Sequence, residues 1–156
     1  FYLSWKARAA GFEARFIELA GQVNSEMPRH VVRKVSTALN SIRRSVNGSR
    51  ILVLGVAYKA DIDDTRESPA LDVIDLLAEM GALVQYHDPF VPSLEIGELR
   101  LESAEITDDA LREYDCVVLI TAHRGIDYPR ILEQSRLVVD TRNGWKGVES
   151  PKLHRL

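Results

Sequence analysis

Apolar residues recur along this chain in two different rhythms. From Phe12 to Val46 they fall at Phe16, Ala20, Val23, Met27, Val31, Val35, Ala38 and Ile42, three or four positions apart. That spacing puts them on one face of a helix. Pro28 lies inside the run. A proline removes one backbone hydrogen bond and kinks a helix, yet the apolar phase continues through it without a slip. One long bent helix is therefore expected rather than two. A stripe of this length reaches beyond a small domain, so from Phe16 to Ile42 it is expected to meet a partner: a part of the protein outside this chain, or a second subunit in a dimer. Asn47-Gly48-Ser49 is expected to end the helix, with Gly48 as a left-handed cap.

Past Arg50 the apolar runs become short. Ile51–Val56 reads as a strand buried on both faces. Ser68-Pro69 reads as a helix start, serine at the N-cap and proline in the first turn. That helix is expected to bury Leu71, Ile74, Leu77 and Ala78 and to stop at Gly81. Leu83–His87 is a second strand, closed by Asp88-Pro89, and Leu99–Leu101 a short third. Thr107–Tyr114 reads as a capped helix, Cys116–Thr121 as a buried strand, Asp127–Glu133 as a helix and Leu137–Thr141 as the last strand. Strands alternating with helices predict an α/β fold: a Rossmann-like open parallel sheet with helices on both faces, preceded by the long helix. In such sheets ligands bind beyond the carboxyl ends of the strands. The places to search are thus just after Val56, His87, Thr121 and Thr141.

Composition narrows the function classes. The 156 residues are 46% hydrophobic and 28% charged, the balance of a globular domain. With 20 basic against 23 acidic residues, nothing favours nucleic acid as a general partner. No apolar run approaches the roughly 18 residues of a membrane-spanning helix. The single cysteine, Cys116, cannot form an internal disulfide and fits a reducing cytoplasm. It begins a buried strand with no base evident beside it, so it is expected to be inert.

The unusual segment is the loop after the first strand, from Gly55 to Pro69. A dinucleotide fold carries a tight Gly-x-Gly-x-x-Gly turn there. This chain has one glycine and then a long charged loop, so a dinucleotide site within this domain is not expected. The loop offers two cations, Lys59 and Arg66, among Asp61, Asp63, Asp64 and Glu67. A lysine beyond a strand end can meet a phosphate as a point charge, and an arginine can grip one with two parallel hydrogen bonds. The helix start at Pro69 adds a favourable dipole. The bland alternative is a solvated loop whose charges pair with one another. The aspartates lack the spacing and glycine of a calcium loop, and no metal site is expected. Arg142, in Asp140-Thr-Arg-Asn-Gly144, would emerge at the same sheet edge as Lys59. Two cations there would suit a diphosphate, unless Arg142 pairs with Asp140 or a carboxylate of the first loop. His87-Asp88-Pro89 is read as a turn, and His123 as a structural histidine that could touch a ligand.

The run Gly55-Val-Ala-Tyr-Lys-Ala-Asp-Ile-Asp-Asp-Thr-Arg-Glu-Ser-Pro-Ala70 resembles the signature of the UDP-glucose/GDP-mannose dehydrogenase family. Tyr86-His-Asp-Pro89, Thr121-Ala-His123 and Val139-Asp-Thr-Arg-Asn143 follow in the order seen in that family. Upstream, Tyr2–Ala7, Phe16–Asn24 and Met27-Pro28 resemble its central helical region, most closely in the branch acting on UDP-N-acetylhexosamines. The resemblance runs from Phe1 to about Gly147. It implies an enzyme of three parts: an NAD-binding Rossmann domain, a central helical region that forms a homodimer, and a Rossmann-like domain that binds the UDP-sugar. Such enzymes oxidise the sugar's C6 alcohol to a carboxylate with two NAD, through a cysteine that bonds covalently to the substrate. Cys116 does not match that cysteine, which in the family lies immediately before the stretch resembling Phe1–Lys6. The chain is thus expected to be a fragment, inactive alone, with residues 1–48 the incomplete dimerisation region and 49–156 the UDP-sugar domain. By resemblance, Tyr58, Lys59 and Arg142 contact the UDP-sugar, and Arg66 reaches toward NAD held by the other domain. The competing reading is a non-catalytic Rossmann-like dimerisation or interaction module. A flavodoxin-like or response-regulator-like fold is disfavoured by the missing phosphate-cradling loop and the odd acidic cluster.

Overall fold

The computed structural model describes residues 15–156. The beginning of the first helix, from Phe12, and the Tyr2–Ala7 motif lie outside these residues. The first described element is α1 (Arg15–Ser41), a single helix that passes through Pro28 as the apolar phase predicts. Its 27 residues span about 40 Å.

The apolar stripe divides in two. Val31, Val32, Val35, Ala38 and Leu39 are buried in a core shared with the rest of the chain. Phe16 is 87% exposed, and Leu19 and Val23 stay more than half exposed. The expectation that the whole Phe16-to-Ile42 stripe serves a partner is corrected here, since its second half covers this chain's own sheet. The helix also ends earlier than expected. Arg43 takes a left-handed conformation, φ 58°. Its N–H donates to Asn40 O, and that of Arg44 donates to Leu39 O. This is a Schellman stop made without glycine. Val46 lies past the stop but is buried, which is why it kept the helical phase. Gly48 does adopt a positive φ of 79°, in the loop that donates its N–H to Gly81 O.

Strands β1 (Arg50–Leu54), β2 (Leu83–His87), β5 (Cys116–Leu119), β6 (Val138–Asp140) and β7 (Leu153–Arg155) form one sheet in the order β2-β1-β5-β6-β7. Every pairing in it is parallel, so all five carboxyl ends share one edge. The chain moves outward from β1 to β2 and then returns to place β5 on β1's other side. That reversal is the switch point where open α/β sheets bind ligands. β7 was not foreseen; three residues, one buried, carry too little pattern to read. Between β2 and β5 a hairpin of β3 (Ser93–Ile96) and β4 (Leu99–Glu102) stands outside the main sheet. Only its second strand was anticipated. Gly97, φ 56°, makes the two-residue turn possible.

The sheet separates two apolar layers. On one side Ile51, Val53, Val118 and Val139 meet α1 and α2 (Pro69–Glu79). On the other, Leu52, Leu54, Val117 and Val138 meet α3 (Asp108–Glu113) and α4 (Tyr128–Gln134). The caps read from sequence are made: Ser68, Thr107 and Asp127 accept the N–H of Ala70, Ala110 and Arg130. Helix α2 buries Ala70, Val73, Ile74 and Leu77. Leu71 and Ala78, expected in the core, are half-buried because the helix is turned toward Val73.

The division of α1 is directly measurable. Leu39, fully buried, should cost about 2–5 kcal/mol on truncation to alanine, whereas Phe16→Ala should stay within about 0.5 kcal/mol when measured dilute enough for the chain to be monomeric. Urea unfolding of the two variants checks both values.

Candidate functional site at the carboxyl edge of the sheet

Beyond Leu54 the chain leaves the sheet through Gly55, φ 76°. A Cβ at Gly55 would collide with the Thr121 carbonyl, so only glycine lets the loop start this close to the end of β5. Asp88, at the end of β2, then takes over the pairing that β1 has lost. Its Oδ2 accepts the N–H groups of Val56 (2.8 Å) and Ala57 (3.1 Å) and the Nε2–H of His123 (2.8 Å). Its Oδ1 accepts Phe90 N–H. Thr121 Oγ1 donates to Ala57 O at 2.7 Å, tying the loop to the end of β5 as well. The reading of His87-Asp88-Pro89 as a turn was correct but incomplete, since Asp88 organises the neighbouring loop.

The expected site residues follow from this frame. Tyr58 is 45% exposed, and the Lys59 ammonium stands 5.6 Å from its ring centroid, within cation–π range. Arg66 is drawn away from the sheet edge. Its Nε and Nη2 donate to the two oxygens of Asp64 at 2.9 and 2.7 Å, the internal pairing weighed above. Those side-chain bonds, then the Arg66 N–H, hold the Asp64 carboxyl at about 2. Asp61 is also held below the ordinary carboxylate range, first by the Arg124 N–H and then by its guanidinium.

Among the described residues Arg142 pairs with no carboxylate. Its backbone N–H donates to Asp140 Oδ1, but its Nε donates to Ile120 O at 2.7 Å. The side chain lines a cleft of about 180 Å³ with Pro69, Val73, Ile120 and Thr141, closed on α1 by Met27 and Pro28. Lys59 is not among the residues lining that cleft. Lys59 follows β1 and Arg142 follows β6, with β5 between them, so their strands stand about 10 Å apart. A second cleft of about 240 Å³, beside His87 and Ile106, contains Arg124 and Arg130. Both are ion-paired, with Asp61 and Asp108.

Three further findings bear on chemistry. The single Gly55 and the long loop do not fit a dinucleotide, which needs a short glycine turn feeding a helix. Burial, and then the Asp115 charge, push the Cys116 thiol well above its usual value, so the sulfur is no nucleophile. Among the described residues no three His, Cys, Asp or Glu side chains are grouped to hold a metal, and no helix is long and apolar enough to cross a membrane.

Residues 52–147 match the UDP binding domain of the UDP-glucose/GDP-mannose dehydrogenase family. The chain belongs to that family. It is 33% identical over 138 residues to UDP-N-acetyl-D-mannosamine dehydrogenase of Methanococcus vannielii, covering 83% of this chain and 30% of the relative. It is 32% identical over 139 residues to UDP-glucose 6-dehydrogenase of Bacillus subtilis, covering 86% and 28%. Among solved structures, a UDP-glucose dehydrogenase of Pyrobaculum islandicum superposes with a TM-score of 0.76 at 28% identity, over 97% of this chain and 34% of that one. The chain therefore spans about a third of the length of these relatives. The two substrate branches match almost equally well, and much of the segment suggesting one of them lies outside the described residues.

The Asp64–Arg66 pair yields a prediction. In Arg66→Ala the Asp64 carboxyl should titrate above its present value of about 2 but still below its ordinary 3.8, because the backbone N–H of residue 66 goes on donating to it, as read by carboxyl-carbon NMR against pH.

Proposed function

We propose that this chain is the UDP-sugar-binding portion of an NAD-dependent UDP-sugar 6-dehydrogenase, with Lys59 and Arg142 gripping the diphosphate and Tyr58 flanking it. The observation that carries this reading is the match to a UDP binding domain over residues 52–147. That match spans the two cations emerging on either side of β5. A diphosphate is a few ångströms long, and two long flexible side chains from strands about 10 Å apart can close on it from both ends. Residues 49–156 form the nucleotide-sugar domain on this reading, and residues 1–48 belong to a central helical region. Arg66 sits at the loop's exposed tip, where exchanging Asp64 for a phosphate would turn it toward NAD carried elsewhere in the protein. The lone buried cysteine suits a cytoplasmic enzyme.

Calorimetric titration of the chain with UDP tests the site. Saturable binding is expected, and Lys59→Ala should weaken it about tenfold to a hundredfold, the value of a charged hydrogen bond of about 1.5–3 kcal/mol. Unchanged affinity in that variant would remove Lys59 from the site.

The same reading makes the exposed half of α1 a homodimer contact. Phe16, Leu19 and Val23 form an apolar patch on a helix that projects past the domain, and such patches mark association surfaces. Sedimentation should find a concentration-dependent dimer that Val23→Glu dissociates. A chain that stays monomeric at high concentration would refute this contact.

A further inference from the structure

His123 is 1% exposed, and both of its ring nitrogens are engaged. Nδ1 lies 2.9 Å from the backbone N of Asp61. An amide N–H can only donate, so Nδ1 is the bare, accepting nitrogen. Nε2 lies 2.8 Å from Asp88 Oδ2 and carries the proton. The ring is thus a neutral imidazole with one donor and one acceptor, each used once. From the end of β5 it links the carboxylate ending β2 to the loop that follows β1.

The link falls at a demanding point of that loop. Asp61 has a φ of 64°, in a region a residue with a Cβ rarely adopts and holds only when its surroundings fix it. Two groups fix it. The Asp61 carboxylate accepts the N–H and guanidinium of Arg124, whose side chain is 89% exposed and so competes with water. The Asp61 N–H donates to the buried His123. Lys59 stands two residues before this point. Tyr58 N–H donates to Asp64 O at 2.7 Å and closes the base of the turn.

We propose that His123 is a positioning residue of the nucleotide site: by accepting the Asp61 N–H it fixes the turn that presents Tyr58 and Lys59. It touches no substrate. The inference rests on the reading of Lys59 as a UDP ligand.

Two substitutions separate positioning from mere support of the fold. In His123→Asn the amide oxygen can take the place of Nδ1 and keep the Asp61 bond, while Asp88 is out of reach. In His123→Gln the longer amide can reach Asp88, while Asp61 loses its acceptor. Each variant forfeits one hydrogen bond, and the asparagine variant, which takes a donor from the buried Asp88 carboxylate, should lower Tm at least as much as the glutamine variant. Positioning requires the Kd for UDP to part company with Tm. The glutamine variant should bind UDP about fivefold more weakly, the effect of one misplaced hydrogen bond, and the asparagine variant should stay within about twofold of the parent. Affinity that tracks Tm in both variants, or changes in neither, overturns the proposal. Amide hydrogen exchange at Lys59–Asp61 is measured alongside, without nucleotide. It should accelerate in His123→Gln and not in His123→Asn. If the parent chain binds no UDP, the nucleotide reading fails. The exchange data then decide His123 alone, and unaltered exchange in the glutamine variant overturns its role.

Discussion

A single buried carboxylate, Asp88, holds the end of β2, the loop after β1 and the end of β5 in one joint. A carboxylate taken out of water is costly unless donors surround it. Here all its partners are donors: three backbone N–H groups and the His123 imidazole. The arrangement also serves those donors. Val56 and Ala57 are fully buried just past the end of β1, where no strand partner remains for their N–H groups. An unpaired buried N–H costs about 1–3 kcal/mol. Asp88 thus acts as an extra length of strand. It lets the first loop leave the sheet at the switch point without orphaned backbone, and the exit direction of that loop decides where Lys59 can stand.

Asp140 repeats the device three strands away. It accepts the N–H groups of Arg142, Gly144 and Trp145, so this carboxylate is occupied by backbone, and among the described residues the Arg142 guanidinium has no carboxylate partner. The two joints are mechanically connected. Trp145 Nε1 donates to Tyr128 O, the two rings meet edge to face at 5.2 Å, and Tyr128 Oη donates to His123 O. The loop bearing Lys59 and the loop bearing Arg142 therefore lean on the same group of side chains. On the reading proposed, two cations acting on one small anion need such a shared frame, because a drift of either by an ångström loses much of the interaction.

The elements that periodicity can report were legible: α1, the β1, β2 and β5 core strands, and α2 with its Ser68 cap. What escaped reading has identifiable causes. The helix stop at Arg43 uses a left-handed residue with a side chain, and no local residue type announces that. The strand Leu153–Arg155 is too short to show a period. The division of the α1 stripe depends on what the sheet leaves uncovered, which only the assembled fold defines. In the site, Lys59 and Arg142 were recognisable as cations beyond strand ends. Asp88 and His123 were noticed as residues at such ends, but their partners lie 31 to 62 positions away. Separation along the chain hides such pairs. The self-pairing of Arg66 with Asp64, by contrast, spans two positions and was among the alternatives the sequence itself offered.

These joints also bear on substrate choice. The cations at this edge are point charge and fork, suited to phosphate oxygens, which every nucleoside-diphosphate sugar carries. Their placement is braced by carboxylates that are engaged with backbone N–H groups. On the reading proposed, a site built this way would grip the common handle and leave the hexose beyond it unread. Relatives named for glucose and for N-acetylmannosamine match the chain about equally, which is what that reading expects of a domain that handles the shared part of the substrate. On the reading proposed, discrimination between hexoses must come from groups outside this frame. Exchanging this domain between relatives should then carry nucleotide affinity with it and leave sugar preference behind.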